Sequence, residues 1–557
     1  MTMRLRGAQM IVRALEMEGV DVVFGYPGGT VIPLYDALYD SKIRHVLMRH
    51  EQAVGHAADG YARATGRPGV CIVTSGPGAT NIVTPLATAH MDSTPIIVIA
   101  GQVATKSMGT DAFQEADIFG CSMSMVKHSF LLKNASEIPT AVRGAFYIAT
   151  SGRPGPVLIV LPVNVQNEEA DFKYPHKVEF PGYHPEKLKD LSMWNQVVDC
   201  INGADRPVLI AGGGVIHSGA SDILRSFADK FSIPVATTLM GKGTYPEGEH
   251  LSLGMAGMHG RVAANRAIME ADLVIGVGTR FSDRTTGNVS RFAQNAKIIH
   301  IDADPAEINK NLMAQYYLVG DAGEIISGLL EEVKARDRTE WLKRIELFKS
   351  KEGYSEAQAL SPRCLLWTLR GLVDDRSVVT TEVGQNQMWS ALHWDARIPR
   401  TFLSSGGLGT MGYGLPAAVG ACIAGSGRPV VCISGDGSFL MNVQELETCV
   451  RYNLPVKVVV LNNSSLGMVR QWQELFWSGR YSATLEPPSC PLVEIARGFG
   501  VPGFQIRSPE EMKPTFQEAL DLKGPAVVEC LISTSEKVFP MVPPGGGMDE
   551  MIVEAQS

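Results

Sequence analysis

The stretch "VVCISGDGSFLMN", residues 430–442, carries an aspartate between two glycines at the end of an apolar, β-branched run. The run predicts a buried strand, and Gly435 and Gly437 predict a tight turn into a helix over residues 439–453. Glycines at such a turn let backbone N–H groups approach a phosphate at the helix N-terminus. The turn therefore predicts an anion site that also holds the carboxylate of Asp436.

A second oxygen-rich pair, Asn462 and Asn463, follows one helix and one strand later. Because one crossover returns the chain to the same edge of a parallel sheet, we expect this pair beside Asp436. One carboxylate, one amide oxygen and one carbonyl leave half an octahedron, which Mg²⁺ completes with phosphate oxygens and water. The pattern predicts a metal-bridged diphosphate; a plain glycine turn is the structural alternative.

The first part of the chain contains a related pattern. "GRPGVCIVTSGPG" (66–78) parallels "GRPVVCISGDGS" (427–438), and "STPIIVIAGQ" (93–102) parallels "NLPVKVVVLNN" (453–463). The double match predicts two copies of one α/β unit. The second copy alone carries the aspartate and the asparagine pair.

These turns must be positioned by parallel α/β layers, since short Val/Ile-rich runs alternate with helix-length segments along the chain. At 557 residues the chain is too long for one hydrophobic core. Residues 166–190 and 335–362 are charged and poorly periodic, as inter-domain connections are. We therefore expect three domains of parallel-sheet α/β type, over residues 1–165, 190–335 and 362–557.

Charge, apolar runs and cysteine spacing argue against several classes of function. A formal net charge of −8 argues against nucleic acid or an anionic membrane as partner. No apolar run reaches the length of a membrane span, and the N-terminal stretch "MTMRLRGAQMIVRALEMEGV" reads as an amphipathic helix rather than a signal. The nine cysteines are scattered, without a C-x-x-C pair, which favours reduced thiols and a cytoplasmic location.

Gly-Asp-Gly followed at this distance by Asn-Asn is the thiamine diphosphate signature, and further segments extend the similarity over nearly the whole chain. They are "FGYPGG", "RHEQ", "TSGPGATN", "DAFQE", "SGRPGPV", "GMHG", "GGLGTMGYGLPAA", "LGMVRQWQ" and "FPMVPPGGGMDEMI". The chain resembles the catalytic subunits of acetolactate synthases (acetohydroxyacid synthases). The resemblance implies pyrimidine-binding and pyrophosphate-binding thiamine diphosphate domains on either side of a Rossmann-like FAD domain.

By this resemblance, Asp436, Asn463 and the Ser465 carbonyl hold Mg²⁺, and Glu51 bonds the pyrimidine ring of thiamine. A glutamate in a first helical turn otherwise merely complements the helix dipole. Met411 matches a wedge that bends the cofactor, although methionine is more often core filler. The other implied thiamine diphosphate residues are Gly384, Gln385, Asn386, Gly409, Gly435, Gly437, Ser438 and Met468.

The resemblance also implies FAD and a second 2-oxoacid as acceptor. Arg280 would bind the acceptor carboxylate, and Trp472 would contact its alkyl tail; a plain buried aromatic is the alternative for Trp472. Gln114 and Phe113 match a polar and an apolar active-site residue. The FAD residues implied by the resemblance are Arg153, Gly212, His259, Arg280, Asp302 and Asp321.

The implied reaction condenses pyruvate with pyruvate or 2-oxobutyrate in the biosynthesis of valine, leucine and isoleucine. Because Glu51 and Asp436 fall in different domains, which different subunits contribute in this family, a homodimer or homotetramer follows; a small regulatory subunit is a further partner of such enzymes. The rival hypotheses are another carboligase of the superfamily and a cofactor-binding paralogue without turnover. Glu51 argues against glyoxylate-condensing relatives, which lack this acid.

Three residues, at two places in the chain, depart from the family pattern. Val163-Asn164 follows Leu161-Pro162 where the family usually has Lys-Asp, and Asn386 stands where many relatives carry His. The missing lysine lines the active-site entrance in relatives, so its loss bears on inhibitor sensitivity and acceptor efficiency and leaves the thiamine chemistry intact.

Overall fold

A computed structural model describes residues 3–350, 360–425, 427–485 and 490–553. It contains three six-stranded sheets in which all neighbouring strands are parallel, and one two-stranded antiparallel pair. The three parallel sheets confirm the predicted α/β class. Within the described ranges, no helix is both long enough and apolar enough to cross a membrane. All nine cysteines fall inside these ranges, and none of them forms a disulfide there.

The first sheet has its strands in the order β3-β2-β4-β5-β7-β6, and β1 pairs with β8 beside it. The strands of this unit are β1 (Met3–Arg6), β2 (Val22–Tyr26), β3 (Arg44–Leu47), β4 (Gly69–Val73), β5 (Ile96–Gln102), β6 (His128–Leu131), β7 (Val157–Pro162) and β8 (Glu169–Phe172). Its helices are α1 (Gly7–Met17), α2 (Ile32–Tyr39), α3 (Glu51–Thr65), α4 (Pro77–Asn81), α5 (Val83–Asp92), α6 (Ile118–Ser122), α7 (Ile138–Thr150) and α8 (Val163–Asn167).

The central sheet has the order β11-β10-β9-β12-β13-β14, which is the strand order of dinucleotide-binding folds. Its strands are β9 (Pro207–Ala211), β10 (Val235–Thr237), β11 (Ser252–Met255), β12 (Leu273–Val277), β13 (Lys297–Asp302) and β14 (Tyr316–Val319). The helices are α9 (Trp194–Gly203), α10 (Gly213–His217), α11 (Ser221–Phe231), α12 (Val262–Glu270), α13 (Asp283–Thr286), α14 (Ala322–Glu332) and α15 (Thr339–Ser350).

The third sheet has the order β16-β15-β17-β18-β20-β19, which repeats the order of the first sheet, as the internal repeat predicts. Its strands are β15 (Val378–Thr381), β16 (Phe402–Leu403), β17 (Val430–Gly435), β18 (Val456–Asn462), β19 (Gly503–Ile506) and β20 (Ala526–Leu531). The helices are α16 (Pro362–Arg370), α17 (Gln385–His393), α18 (Gly414–Ile423), α19 (Asp436–Phe439), α20 (Glu445–Arg451), α21 (Gly467–Phe476), α22 (Leu492–Gly498) and α23 (Pro509–Asp521).

Two local expectations differ from the structure. The helix predicted over 439–453 is split into α19 and α20, because Asn442 donates to the carbonyl of Gly412 (2.6 Å) and its segment follows a neighbouring loop. Helix α15 lies within the segment expected to connect domains, yet its Trp341 is buried and donates to the Pro207 carbonyl (3.0 Å) of the central sheet. Residues 351–359 of that segment lie outside the described residues.

Helices α3 and α18 pack directly against each other and join the first unit to the third. The contact is made by small residues: a Cβ added at Gly60 would overlap the backbone of Ala417, and one added at Gly420 would overlap the carbonyl of Ala57. The two backbones therefore touch, and glycine is the residue that permits this approach. One hydrophobic core runs through both units, from the first sheet through these helices to the third.

We expect Gly420→Ala to destabilise the protein by about 1–3 kcal/mol, because the added methyl group overpacks the contact between α3 and α18. Gly203→Ala is the matched control, since Gly203 also lies in a helix, α9, and its added Cβ would meet no atom within 4 Å. The midpoint of denaturant unfolding measures both. A Gly420→Ala protein as stable as the Gly203→Ala protein would contradict the packing account.

Candidate active site

The interdomain cavity, about 1140 Å³, is lined by residues of all three units. Its volume suits a large cofactor together with a small substrate. Sequence-predicted FAD, thiamine and acceptor residues all line this one cavity. Those on the wall are Arg153, His259, Arg280, Asp302, Asp321, Gly384, Gly409, Met468 and Trp472.

The FAD side of this cavity lies at the carboxyl edge of the central sheet. Asp302 ends β13, Asp321 follows β14, and Gly212 follows β9. Gly212 itself is packed so closely on Gly278 that a Cβ would overlap the Gly278 carbonyl; its neighbours Gly213 and Gly214 reach the wall. Burial raises the pKa of Asp302 to about 7. Glycine-lined backbone and carboxylates at adjacent strand ends fit a dinucleotide.

The first unit and the C-terminal segment complete this side. Arg153 donates to Glu307 (2.6 Å) and to the Ser93 hydroxyl (2.9 Å), which ties the first unit to the central one. The His259 ring nitrogen Nδ1 lies 3.3 Å from the Pro540 carbonyl, and burial lowers the pKa of His259 to about 4. Burial also lowers the pKa of Arg280.

The diphosphate cluster comprises Gly384–Asn386, Gly435–Ser438, Asn463 and Ser465. Strand β17 pairs with β18 so that Gly435 lies opposite Leu461, which places Asp436 and Asn463 at one sheet edge, as predicted. Asn463 donates to the Gln385 side chain (2.8 Å), and Ser438 donates to the Val383 carbonyl (3.1 Å). These bonds join the ends of β15, β17 and β18.

The cluster fits a Mg²⁺-bound diphosphate. Asp436, Asn463 and Ser465 are all buried, and their carboxylate, amide and carbonyl oxygens are the hard ligands that Mg²⁺ prefers. The Asn386 Oδ1 atom is buried and has no hydrogen-bond partner among the described residues. A Cβ at Gly435 would come within 3.1 Å of the Asn386 amide nitrogen, so a larger residue there would press on Asn386.

Asn462 and Glu529 shape the turn that carries the asparagine pair. Asn462 donates to Glu529 (2.7 Å), and its Oδ1 accepts the Ser464 amide (2.9 Å). Ser464 has a positive φ of 52°, which the Asn462 bond helps to hold. Asn462 therefore shapes the turn, and Asn463 is the residue that can present an oxygen to a metal. Glu529 carries no motif that sequence reasoning could have used.

Glu382 orders the loop that carries Met411. It is buried and accepts the amides of Gly412 (2.7 Å) and Gly414 (2.8 Å). Burial raises the pKa of Glu382 to about 7. Gly409, with φ of 71°, lines the cavity, while half-buried Met411 is not among the described lining residues. Sequence reasoning missed Glu382, although it directly precedes the Val383-Gly384 turn.

The N-terminal half-site comprises Glu51, Asn81, Phe113 and Gln114. Glu51 opens α3 and accepts the Asn81 amide (3.0 Å). Gln114 has φ of 60° and packs against Gly76, where a Cβ would lie 2.9 Å from the Gln114 Cα. Phe113 is 88% exposed. Glu51, Phe113 and Gln114 are not among the described residues that line the interdomain cavity. Within one chain, therefore, this half-site does not join the thiamine and acceptor residues on the cavity wall.

The third unit of the same chain fixes the turn that precedes Glu51. The Arg49 amide donates to the Glu445 carboxylate (3.0 Å), and the Leu47 amide donates to the Tyr452 hydroxyl (2.8 Å). Both amides belong to the edge strand β3 or its end. Burial raises the pKa of Glu445 to about 7. These side chains satisfy backbone groups that an edge strand leaves open.

Trp472 and the Val163-Asn164 pair lie in two different helices. Trp472 lies on α21, and its buried indole N–H meets no acceptor in the described part of the chain.

Val163 begins α8, and Asn164 makes two hydrogen bonds to Thr105. The Asn164 side chain accepts the Thr105 amide (2.8 Å) and donates to the Thr105 hydroxyl (3.1 Å). Asn164 thus anchors the loop that leads to Phe113 and Gln114.

We expect Asp436→Asn to weaken the Mg²⁺-dependent affinity for thiamine diphosphate at least about tenfold, because the metal loses its anionic ligand. Asp222→Asn is the control, since Asp222 also lies in the first turn of a helix but is exposed on the central unit. Calorimetric titration with and without Mg²⁺ measures the affinity. Equal affinities in the two variants would remove Asp436 from the metal site.

Comparisons with known proteins agree with this geometry. Three family models match: Thiamine pyrophosphate enzyme, N-terminal TPP binding domain (residues 5–121), central domain (194–329) and C-terminal TPP binding domain (382–530). The acetolactate synthase large subunit of Corynebacterium glutamicum is 47% identical over 98% of this chain and 90% of its own length. The one from Parasynechococcus marenigrum is 47% identical over 98% and 91%.

The acetolactate synthase large subunit of Haemophilus influenzae is 43% identical over 99% of this chain and 98% of its own length. Such identity across the full chain, together with all three domain matches, goes well beyond the shared diphosphate motif. The chain belongs to the acetolactate synthase large subunits, a family of thiamine pyrophosphate enzymes.

Proposed function

We propose that the protein is a catalytic acetolactate synthase subunit. It decarboxylates pyruvate and joins the resulting two-carbon unit to a second pyruvate, giving 2-acetolactate, or to 2-oxobutyrate, giving 2-aceto-2-hydroxybutyrate. The observation that carries the proposal is the continuity of Gly384, Gly409, Met468, Arg280 and Trp472 on one cavity wall. Such products lead to valine, leucine and isoleucine, and we propose a cytoplasmic location.

Each half of the cofactor site has its own role. When bound, thiamine diphosphate supplies the electron sink for cleavage of the carbon–carbon bond of a 2-oxoacid. The diphosphate cluster binds the anionic end, with Asp436, Asn463 and the Ser465 carbonyl as metal ligands. Glu51 holds a proton at the pyrimidine ring, and its bond to Asn81 orients it for this (3.0 Å).

Two residues of the cavity wall, Arg280 and Trp472, bind the acceptor and determine its selection. Arg280 pairs with the carboxylate of the second 2-oxoacid, and Trp472 contacts its alkyl tail. One methylene group is worth about 1–3 kcal/mol, so a single aromatic wall can favour 2-oxobutyrate over pyruvate by a useful factor. The residues that would hold FAD are Arg153, His259, Arg280, Asp302 and Asp321 on the cavity wall, and Gly212 beneath the wall residues Gly213 and Gly214. The reaction has no net redox change, so the role of FAD is structural.

We further propose that the working unit is a homodimer or a homotetramer built from such dimers. The half-site around half-buried Glu51 and exposed Phe113 supports this, because its predicted residues Glu51, Phe113 and Gln114 are not among the described residues that line the cavity of their own chain. In a symmetric pair, each half-site can meet the diphosphate cluster of the partner subunit. A small regulatory subunit is a further partner that the family name "large subunit" suggests for this chain.

The purified protein with thiamine diphosphate, Mg²⁺ and FAD is expected to form acetohydroxyacids from pyruvate alone and from pyruvate with 2-oxobutyrate. Glu51→Gln is expected to retain bound cofactor and lose most turnover, because the amide cannot cycle a proton. Product is measured colorimetrically, and bound flavin by its absorbance. Flavin-free active protein would indicate a catabolic enzyme, and binding without product would indicate a paralogue without turnover. Near-wild-type turnover in Glu51→Gln would remove its assigned role.

A further inference from the structure

The segment that carries Gly409, here called the glycine loop (residues 404–410), is held by side chains of the first unit. Asp92, the last residue of α5, accepts the amide of Gly407 (2.7 Å) and the amide of Gly406 (3.2 Å). The hydroxyls of Thr88 and Thr410 lie 2.7 Å apart. The loop belongs to the third unit, so these are contacts between units of one chain.

A buried ionic network supports Asp92. Arg63 donates to the Ser404 carbonyl of the glycine loop (2.7 Å) and lies 3.7 Å from the Asp92 carboxylate. It also lies 3.8 Å from Asp59, which accepts the Tyr413 hydroxyl (2.6 Å). All of these side chains are buried. Burial raises the pKa of Asp92 to about 6, and the Arg63 charge opposes the shift. Each oxygen of Asp92 accepts one backbone amide beside Arg63, an arrangement that stabilises the ionised carboxylate.

The loop needs such tethers. It contains Gly406, Gly407 and Gly409, and glycine loses more conformational freedom on ordering than any other residue. Gly409 adopts a φ of 71°, and a Cβ at Gly407 would lie 2.8 Å from the Met91 side chain. Without fixed N–H groups at Gly406 and Gly407, the wall of the cavity at Gly409 would sample many positions.

We propose that Asp92 is a positioning residue for the cofactor site of its own chain, fixing the glycine loop so that Gly409 is preorganised on the cavity wall. The inference rests on the proposed function for the identity of the ligand, thiamine diphosphate. The first unit then contributes to two cofactor sites. Its Glu51 serves another chain, and its Asp92 tethers the cofactor loop of the third unit to which it is joined.

The test compares full-length wild type with Asp92→Asn. Asparagine keeps the size but replaces one acceptor oxygen by an N–H₂ group that faces a backbone N–H. Hydrogen exchange of cofactor-free protein is expected to speed up about 10- to 100-fold at residues 404–410, the size of a lost bond to a charged acceptor. Apparent affinity for thiamine diphosphate with Mg²⁺, measured calorimetrically, is expected to weaken about tenfold or more.

Asp272→Asn is the matched control. Asp272 likewise accepts two consecutive amides, those of Asp205 (2.9 Å) and Arg206 (2.9 Å), but in the central unit. Its variant is expected to exchange at residues 404–410 and to bind thiamine diphosphate as wild type does. Thr88→Val is a milder change on α5, which removes only the contact with Thr410 of the glycine loop, and is expected to shift both readouts in the same direction by a smaller factor.

The possible results distinguish failure of the inference from failure of the proposed function. Wild-type exchange and affinity in Asp92→Asn would overturn the inference, as would faster exchange spread over the whole first and third units, which would indicate a merely structural role. If Asp92→Asn is too unstable to purify, the wild-type protein decides, because Gly406 and Gly407 amides that exchange there at the rate of unprotected amides would overturn the inference. Failure of wild type to bind thiamine diphosphate would instead overturn the proposed function, while the exchange experiment would still test the tether.

Discussion

The backbone contact between α3 and α18 determines how the rest of the molecule is arranged. Gly60 and Gly420 bring the two helices so close that the first and third sheets share one hydrophobic core. That contact holds the first and third units against each other. It leaves the half-site around Glu51 outside the cavity of its own chain, and it brings Asp92 and Arg63 against the glycine loop.

The two outer units show how one strand order can support two chemistries. Both sheets place a glycine turn after their third strand in chain order and a second turn after the fourth. In the third unit these turns carry Asp436 and Asn463, which suit a metal-bound diphosphate. In the first unit the equivalent turn, at Gly76 and Gly78, instead packs against Gln114 and Glu51. The duplicated scaffold thus serves opposite ends of one cofactor.

Much of the fold, and part of the candidate site, could be predicted from the sequence. Parallel α/β layers, the internal repeat and the meeting of Asp436 with Asn463 at one edge all follow from strand periodicity and glycine turns, which are local signals. The division of the helix after Asp436 was not accessible, because Asn442 bonds a loop distant in sequence. The packing of α15 on the central sheet was missed because its surface is strongly charged and only three buried aromatic and aliphatic side chains anchor it.

The buried carboxylates were also beyond sequence reasoning. Glu382, Glu445, Glu529 and Asp92 each accept hydrogen bonds from loops or side chains brought close by the fold, in two cases from another unit of the chain. No spacing rule predicts such pairs. They matter because each orders a turn that carries a proposed cofactor residue.

In the proposed enzyme, Glu51 and Asp436 act together only across two chains. Mixing the impaired Glu51→Gln and Asp436→Asn proteins, after dissociation and reassembly, tests this directly. Mixed dimers would contain one site with both changes and one intact site, so activity should recover to roughly a quarter of the wild-type value. Activity that stays at the level of the separate variants, although mixed dimers form, would contradict the account.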